Sequence, residues 1–252
     1  MHELRIPLDP CNPGQFYACC GLVELAELSG ACTLSHFEIN DHLPRRAEFV
    51  VQSTSPVSLA ALLDDLREAD YKALSRPVIG SSEKDSIAPI EATIFGSSRI
   101  LDWWLDAFWE KATSLKCWAG QVTSRALFEK LPRLLSAGDD PFQNAALTTT
   151  RFGIDPRSAW VALDLGYSPN EQGQESRTYP AVEMLAALGL QGFRPAGSRK
   201  LGYSYALWRN ALPMDAARSA CAEPWSSVSS RLYRFSLGER GSYKFISFAQ
   251  TD

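Results

Sequence analysis

Histidine is scarce in this sequence of 252 residues, which has only His2, His36 and His42. Lone histidines at such positions are typically surface or turn residues, so we expect none of them to be catalytic. The sequence also has no H-E-x-x-H pair, Walker loop, G-x-S-x-G elbow or dinucleotide fingerprint. These absences remove the usual signatures of zinc proteases, P-loop NTPases, serine hydrolases and NAD-dependent enzymes. We therefore predict no catalytic residue, no metal and no cofactor.

Long apolar runs and metal-binding cysteine spacings are also missing. No apolar stretch approaches the length needed to cross a membrane, and residues 1–3 lead straight into a predicted strand. We therefore expect a cytoplasmic protein without a signal peptide and without a membrane partner. The cysteines show no C-x-x-C spacing, which predicts small buried hydrophobic residues at Cys11, Cys19, Cys20, Cys32, Cys117 and Cys221.

The net charge of −4 argues against a protein that coats nucleic acid by itself. The charge is unevenly distributed, however. Residues 1–100 contain 8 Lys and Arg against 14 Asp and Glu, whereas residues 101–252 contain 17 against 15. This asymmetry predicts that any contact with nucleic acid is local and is shared with other subunits.

The first strong structural signal is a strand followed closely by a helix. Leu4, Ile6 and Leu8 alternate with other residues as in a half-buried strand. Asn12 is a favourable N-cap, and Pro13 occupies the first helical position, where its missing N–H costs nothing. Gln15 is placed to reach back in the manner of a capping box.

The order of elements in the first hundred residues predicts a ferredoxin-like α+β fold of the βαββαβ, or RAMP, type. Further strands are predicted at residues 33–39, 48–52 and 90–95, and a helix is predicted to open at Pro56. We divide the chain into a ferredoxin-like half (1–100), a helical insert (101–142) and a second mixed antiparallel α+β half (143–252).

Two segments, one late in the first half and one in the helical insert, are candidates for binding. The polar loop at residues 75–89 is long enough to be functional or disordered, and it contains Arg76 and Lys84. The aromatic stretch that follows residue 101 predicts a packed helical core. A second possibility is an exposed stacking platform for bases, formed by Trp118 with the neighbouring Lys116, Gln121 and Arg125.

Cations in loops of the second half are the best candidates for phosphate contacts, because guanidinium groups hold phosphates by paired hydrogen bonds. The group is Arg151, Arg157, Arg177, Arg194, Arg199, Lys200 and Arg209. From it we select Arg151, Arg157, Arg194, Arg199 and Lys200 as the main nucleic-acid contacts, with Arg125, Arg76 and Lys84 as secondary ones.

Several longer segments resemble a small family of CRISPR-associated effector subunits of type I-G systems, formerly called I-U. They are IPLDPCNPGQFYACCGLVELAE from Ile6, WAGQVTSRALF from Trp118, RFGIDPRSAWVALDLGYSPNEQGQESRTYPAVEMLAALGLQGFRP from Arg151, and YSYALWRNALPMDAAR from Tyr203. The resemblance implies a non-catalytic subunit of a Cascade-like guide-RNA surveillance complex, which serves antiviral defence. Its implied partners are guide RNA, target DNA and the other effector subunits.

Two alternatives to this function remain open. One is a guide-RNA processing endonuclease, in which His36 or His42 would be needed for cleavage. Relatives that process guide RNA carry a catalytic histidine and a glycine-rich loop near the C-terminus, and this sequence has no histidine after His42. The other is a protein-only bridging subunit, which the acidic first half and the many tryptophans would suit.

Overall fold

The computed structural model describes residues 1–74, 87–107, 109, 111–118, 122–136, 138, 140–159, 176–222, 229–240 and 243–251. In these residues the protein is a mixed α+β fold with antiparallel sheets, as the sequence predicts. None of their helices is both long enough and apolar enough to cross a membrane.

The first sheet begins with strand β1 (His2–Leu8), which helix α1 (Pro13–Leu28) follows. Strands β2 (Thr33–Ile39) and β3 (Ala47–Ser53) complete the first part of this sheet. Strand β3 lies between β1 and β2 and is antiparallel to both. The order β1–α1–β2–β3 is therefore present as predicted.

The next elements form a separate sheet. Helix α2 (Leu59–Glu68) is followed by β4 (Asp70–Ala73), β5 (Ile90–Ile94) and β6 (Ser97–Leu101), which pair in that order. The predicted fourth strand of the βαββαβ unit is β5, but it pairs with β4 and β6 instead of β1. Because β4 is short and β6 is largely exposed, sequence alternation did not identify these two partners.

The middle of the chain is less helical than predicted. Helix α3 (Ser124–Lys130) and a 3-10 turn (Pro132–Leu134) are its regular helical elements among the described residues. The short strand β7 (Ala146–Thr148) pairs with β8 (Ser176–Thr178), and a second 3-10 turn (Pro156–Ser158) lies between them. The sequence predicts strands at residues 148–152 and 159–163. Strand β7 ends at Thr148, where the first of these was expected to begin, and residues 160–163 of the second lie outside the described residues.

A long buried helix and a second sheet follow. The sequence predicts a helix that begins at Pro180 and ends near Gly189, and helix α4 (Pro180–Gly192) begins at that proline. Strands β9 (Ala196–Ser198) and β10 (Gly202–Trp208) then form a hairpin. Strand β11 (Leu212–Pro213) joins the first sheet beside β2, and helix α5 (Met214–Ala222) packs on β10.

The last four strands complete the second half. Strand β12 (Ser229–Phe235) pairs with β10, and the terminal strand β15 (Gln250–Thr251) pairs with β12. Strands β13 (Leu237–Arg240) and β14 (Tyr243–Ile246) form a hairpin. The sequence predicts a hairpin of residues 231–237 with 243–248 that turns at 238–241, but residues 238–240 belong to β13, which is therefore the first strand of the hairpin.

Helices α1 and α4 form the centre of the molecule, and glycine allows their backbones to touch. A Cβ atom added to Gly21 would overlap the carbonyl oxygen of Leu185, and one added to Gly189 would overlap that of Tyr17. Residues 13–26 of α1 are all buried, as are residues 180–190 of α4. A helix that is buried on every side is a core element rather than an amphipathic surface helix.

One hydrophobic core extends through all three predicted segments of the chain, from Ile6 to Ala249. An aromatic layer joins the two larger sheets, because Phe16 stacks on Tyr205 with centroids 4.1 Å apart and Phe37 meets Trp208 at 4.8 Å. The indole nitrogen of Trp208 also donates to the carbonyl oxygen of Ser35 at 2.8 Å. The division into segments stays a prediction, while the described core is continuous across them.

Candidate nucleic-acid interface

The N-terminal ends of α1 and α4 meet at the loop of residues 151–158, and we call this meeting point the helix junction. It consists of Asn12, Asp155, Arg157 and Glu183. Asn12 caps α1, since its Oδ1 accepts from the Gln15 N–H at 3.2 Å. Its Nδ2 donates to Asp155 Oδ1 at 2.9 Å, so one side chain joins the helix to the loop. The predicted N-cap is therefore confirmed.

Asp155 is the buried anion of this junction and Arg157 is its cation. Asp155 is fully buried, and Arg157 Nη2 lies 2.6 Å from its Oδ2. The same guanidinium donates to Phe142 O and to Gln143 Oε1, each at 2.9 Å. It also lies 3.6 Å from the ring centroid of Tyr179, the residue that precedes α4. These contacts fix Arg157 by bonds within the protein.

Glu183 closes the junction from α4. Its carboxylate accepts from the backbone N–H groups of Gly153 at 3.0 Å and Asp155 at 3.2 Å, so it holds the loop against the helix. Complete burial, together with the negative charge of the neighbouring Asp155, raises the pKa of Glu183 to about 7. A carboxyl group with this pKa changes its charge near neutral pH.

Arg151 and Arg157 were predicted to contact phosphate, and in the structure both are largely buried and bonded within the protein. Arg151 is only 6% exposed, and its Nη1 donates to the carbonyl oxygen of Ser158. Arg157 is 17% exposed and is engaged with Asp155. The sequence could not show this, because the acceptors come into reach only when the loop folds onto the two helices.

The hairpin between β9 and β10 presents the other predicted cations to solvent. Arg199 and Lys200 are exposed at its tip, and the next residue, Leu201, is 80% exposed. Gly197 and Gly202 have positive φ values of 111° and 81°, which favour glycine and allow the tight turn. We call residues 198–202 the basic hairpin tip.

Other cations lie near this tip. Arg194 follows α4, is half exposed, and pairs with Asp102 at 3.1 Å. Arg234 on β12 is exposed and stands opposite Ser204 of β10. The Ser114 and Tyr203 hydroxyl groups form a hydrogen bond, which brings the loop that carries Lys116 to the start of β10. The structure thus groups Arg194, Arg199 and Lys200 with cations that sequence analysis did not select.

Arg125 lies apart from this group, on α3. Its side chain is 72% exposed and pairs with Glu129 one turn later at 2.7 Å. The stacking platform predicted around it does not form in the described residues, because Trp118 is buried in a cluster with Trp103, Trp104 and Phe152. Packed core is therefore the correct interpretation of these aromatic residues. Gln121, Arg76 and Lys84 lie outside the described residues.

The histidines are not members of the helix junction, but His42 and Arg157 of the junction line the same cleft. His36 lies on β2, with its Nε2 3.7 Å from Glu38 Oε1, and among the described residues no hydrogen-bond partner reaches its buried Nδ1. His42 is exposed in the turn between β2 and β3. It lines a cleft of about 1010 Å³, to which Asp9, Arg46 and Asp140 also contribute. In the part of the chain that the structure describes, no group of three or more His, Cys, Asp or Glu residues could hold a metal ion.

Sequence analysis missed an acidic patch on the outer face of the first sheet, which we define as Glu3, Arg5, Glu38 and Glu48. Arg5 bonds to Glu3 at 2.7 Å, to Glu38 at 2.8 Å and to Glu48 at 2.9 Å. These bonds raise the pKa of Arg5, and the same guanidinium lowers the pKa of Glu38. The patch holds three carboxylates around one guanidinium, so it repels phosphate. Only the strand register brings these residues together, and sequence alone does not give the register.

The cysteine prediction is confirmed in four of six cases. Cys19, Cys20, Cys117 and Cys221 are buried, and burial raises the pKa of each thiol. Cys11 is half-buried and Cys32 is exposed, so neither is the fully buried residue that was predicted.

Comparisons with known proteins give no assignment for this arrangement. No protein-family model matches the chain, no curated protein matches it significantly, and no solved structure is significantly similar to it.

Proposed function

We propose that this chain is a non-catalytic, cytoplasmic subunit of a type I CRISPR guide-RNA surveillance complex, where it binds guide RNA or target DNA beside other effector subunits. The observation that carries this proposal is the basic hairpin tip. Arg199 and Lys200 project into solvent on adjacent residues, next to the exposed Leu201. Exposed cations on a narrow projection suit contacts with a phosphate backbone. Such contacts fix the position of the nucleic acid, while base pairing with the guide reads its sequence.

The charge distribution supports a local contact rather than a large binding face. The acidic patch on the first sheet repels phosphate, whereas Arg194 and Arg234 extend positive charge near the tip. A small footprint fits a subunit that adds a few contacts to a complex in which other chains also hold the nucleic acid. We propose Arg194, Arg199 and Lys200 as its contacts, with Arg125 secondary.

We further propose that the β1–α1–β2–β3 unit is an incomplete ferredoxin-like module of the RAMP class. The support is its split order, in which β3 lies between β1 and β2 after the helical crossover. The position of a fourth strand, on the outer side of β1, is not filled by β5.

The test is a salt titration of nucleic-acid binding by the reconstituted complex. Arg199→Glu with Lys200→Glu should weaken binding and reduce the slope of log affinity against log salt by about 2 if each cation contacts one phosphate. The matched control is Arg46→Glu with Arg67→Glu, which makes the same charge change at exposed positions in the turn before β3 and on α2. The control should leave the slope unchanged.

Three results would contradict parts of this proposal. Equal slopes for the two double variants would remove the basic hairpin tip as a contact. If the wild-type complex showed the same salt dependence with and without this subunit, the proposal that the subunit binds nucleic acid would be wrong. Cleavage of repeat RNA that disappears in His42→Ala or His36→Ala would identify an endonuclease instead.

A further inference from the structure

Strand β1 is an edge strand with one unpaired side. The first sheet has the order β1-β3-β2-β11, so β1 pairs with β3, and no described strand lies on its other side. Apart from the ladder with β3, residues 2–8 make no backbone hydrogen bond to the described part of the chain. An unpaired edge offers a row of N–H and C=O groups to another strand.

Pro7 indicates which groups face this open edge. Proline cannot donate to a ladder, and within a sheet it is placed with its nitrogen towards the unpaired side. Backbone groups of alternate residues point to the same side of a strand. We infer that Glu3 and Arg5 direct both N–H and C=O groups to the open edge, where Pro7 adds a C=O group. Five residues of strand, spanning roughly 16 Å, are thus available for pairing.

A groove of about 470 Å³ runs along this edge. Residues 4–7 of β1 form one wall, and the other wall is formed by residues 57–60 at the start of α2 together with residues 140–142. Pro7 and Asp140 also line the larger cleft of about 1010 Å³, so the two spaces adjoin. The unpaired edge of β1 therefore faces a groove that leaves space for an added strand.

The two sides of this groove differ in chemistry. Val57, Leu59 and Phe142 make its inner side apolar. On the outer face of β1 lies the acidic patch, where Glu3, Glu38 and Glu48 surround the single guanidinium of Arg5. Side chains of an added strand alternate between these two sides with a period of two. The groove is thus complementary to a strand whose residues are alternately apolar and basic.

We propose that the open edge of β1 binds an extended segment of a partner protein by strand addition, and that this segment alternates apolar residues with lysine or arginine. Backbone hydrogen bonds to Glu3, Arg5 and Pro7 provide affinity, and the alternating side chains provide specificity. The occupant is a protein because the acidic patch, which has three carboxylates around one guanidinium on the outer face of this sheet, repels a phosphate backbone. This docking site lies on the first sheet and does not depend on the nucleic-acid contacts proposed for the hairpin tip.

The test uses nine-residue peptides and the full-length chain. A labelled peptide of alternating valine and lysine should bind, as measured by fluorescence anisotropy at moderate salt, and a valine–glutamate peptide of equal length should not. N-methylation of alternate amides of the valine–lysine peptide should weaken its binding by at least about threefold, because it removes hydrogen-bond donors to the edge. A peptide with the other alternate amides methylated is the matched control and should bind as the parent does.

Two variants of the protein separate backbone from charge. Glu3→Pro removes one edge N–H and one carboxylate, whereas Glu3→Gln removes the carboxylate alone. We expect the proline variant to lose more affinity for the valine–lysine peptide than the glutamine variant does. The methylated peptides test the same hydrogen bonds on the unaltered protein, so the conclusion does not depend on the folding of Glu3→Pro.

Three outcomes would overturn this docking site. Equal binding of the lysine and glutamate peptides, or no effect of methylation on either alternate set, would exclude strand addition with charge selection. Concentration-dependent dimerisation that Glu3→Pro abolishes would show that the occupant is a second copy of this chain. Slow amide exchange of Glu3 and Arg5 in the isolated monomer would show that a segment of the same chain already covers the edge.

Discussion

The two larger sheets pack on the same central helices but present opposite charges to solvent. The first sheet exposes the acidic patch around Arg5 beside an unpaired strand. The second sheet exposes the basic hairpin tip, where Arg199 and Lys200 follow the positive-φ glycine at position 197. We propose that the difference reflects a division of labour within one core, in which the first surface would bind a basic protein segment and the second would bind phosphate.

Both sheets pack on the pair of helices α1 and α4. We therefore expect the largest effect on the free energy of unfolding where these two helices touch. Gly21→Ala places a methyl group against the Leu185 carbonyl oxygen, so we expect a loss of about 3 kcal/mol or more in the free energy of unfolding. Urea denaturation measures it. Gly96→Ala is the control, because nothing lies near its Cβ position and only its φ of 73° opposes alanine. A similar cost for both variants would mean that the helices do not touch at Gly21.

The next effect is a pH dependence at the helix junction. Glu183 has its pKa raised from 4.5 to about 7, so the folded state favours its protonated form. The protonated carboxyl group contributes roughly 3 kcal/mol to the free energy of unfolding, and this contribution is fully present below about pH 4.5. It is lost as the pH rises through 7. The free energy of unfolding of wild type minus that of Glu183→Gln should therefore fall between pH 5 and pH 8. A constant difference across that range would show that Glu183 stays ionised.

A smaller effect is expected where the N-cap of α1 doubles as a link to the loop. Asn12→Ala removes the cap and the bond to buried Asp155, and we expect a loss of about 2 kcal/mol. Ser58→Ala is the matched control, since Ser58 caps α2 at an exposed end and has no buried partner. Its loss should be about 1 kcal/mol or less. Thermal unfolding measures both losses. A smaller loss of stability in Asn12→Ala than in Ser58→Ala would contradict the role of Asn12 in joining α1 to the loop.

The smallest effect is expected at the hairpin tip. Leu201 is 80% exposed, so Leu201→Ser should change the free energy of unfolding by less than about 0.5 kcal/mol. Chemical denaturation of the two proteins in parallel gives the comparison. A loss above 1 kcal/mol would mean that the tip packs on the protein and that the contrast between the two surfaces is overstated.

Local signals predicted much of the secondary structure. Asn12 with Pro13 marked the start of α1, and Pro180 marked the start of α4, because capping and proline preferences act over a few residues. Alternation of apolar and polar residues identified β1 and β3. The pairing of β5 with β4 and β6 was missed, because strand partners are chosen by packing across the whole fold.

The candidate site was predictable only in part. Arg199 and Lys200 are exposed as their flanking glycines and polar neighbours suggested. Arg151 and Arg157 looked the same in sequence, yet one is bound to Ser158 and the other to Asp155 inside the junction. Nothing local distinguishes a loop arginine that bonds a phosphate from one that bonds its own loop. The acidic patch was equally hidden, because its members come from three strands.

Hydrogen–deuterium exchange on the reconstituted complex tests the division of labour most directly. We predict that nucleic acid slows exchange at the hairpin tip, residues 198–202, and leaves the β1 edge at residues 3–7 unchanged. Assembly with partner subunits in the absence of nucleic acid should slow exchange at the β1 edge instead. Protection of the β1 edge by nucleic acid, together with an unaffected hairpin tip, would contradict the assignment of the two surfaces.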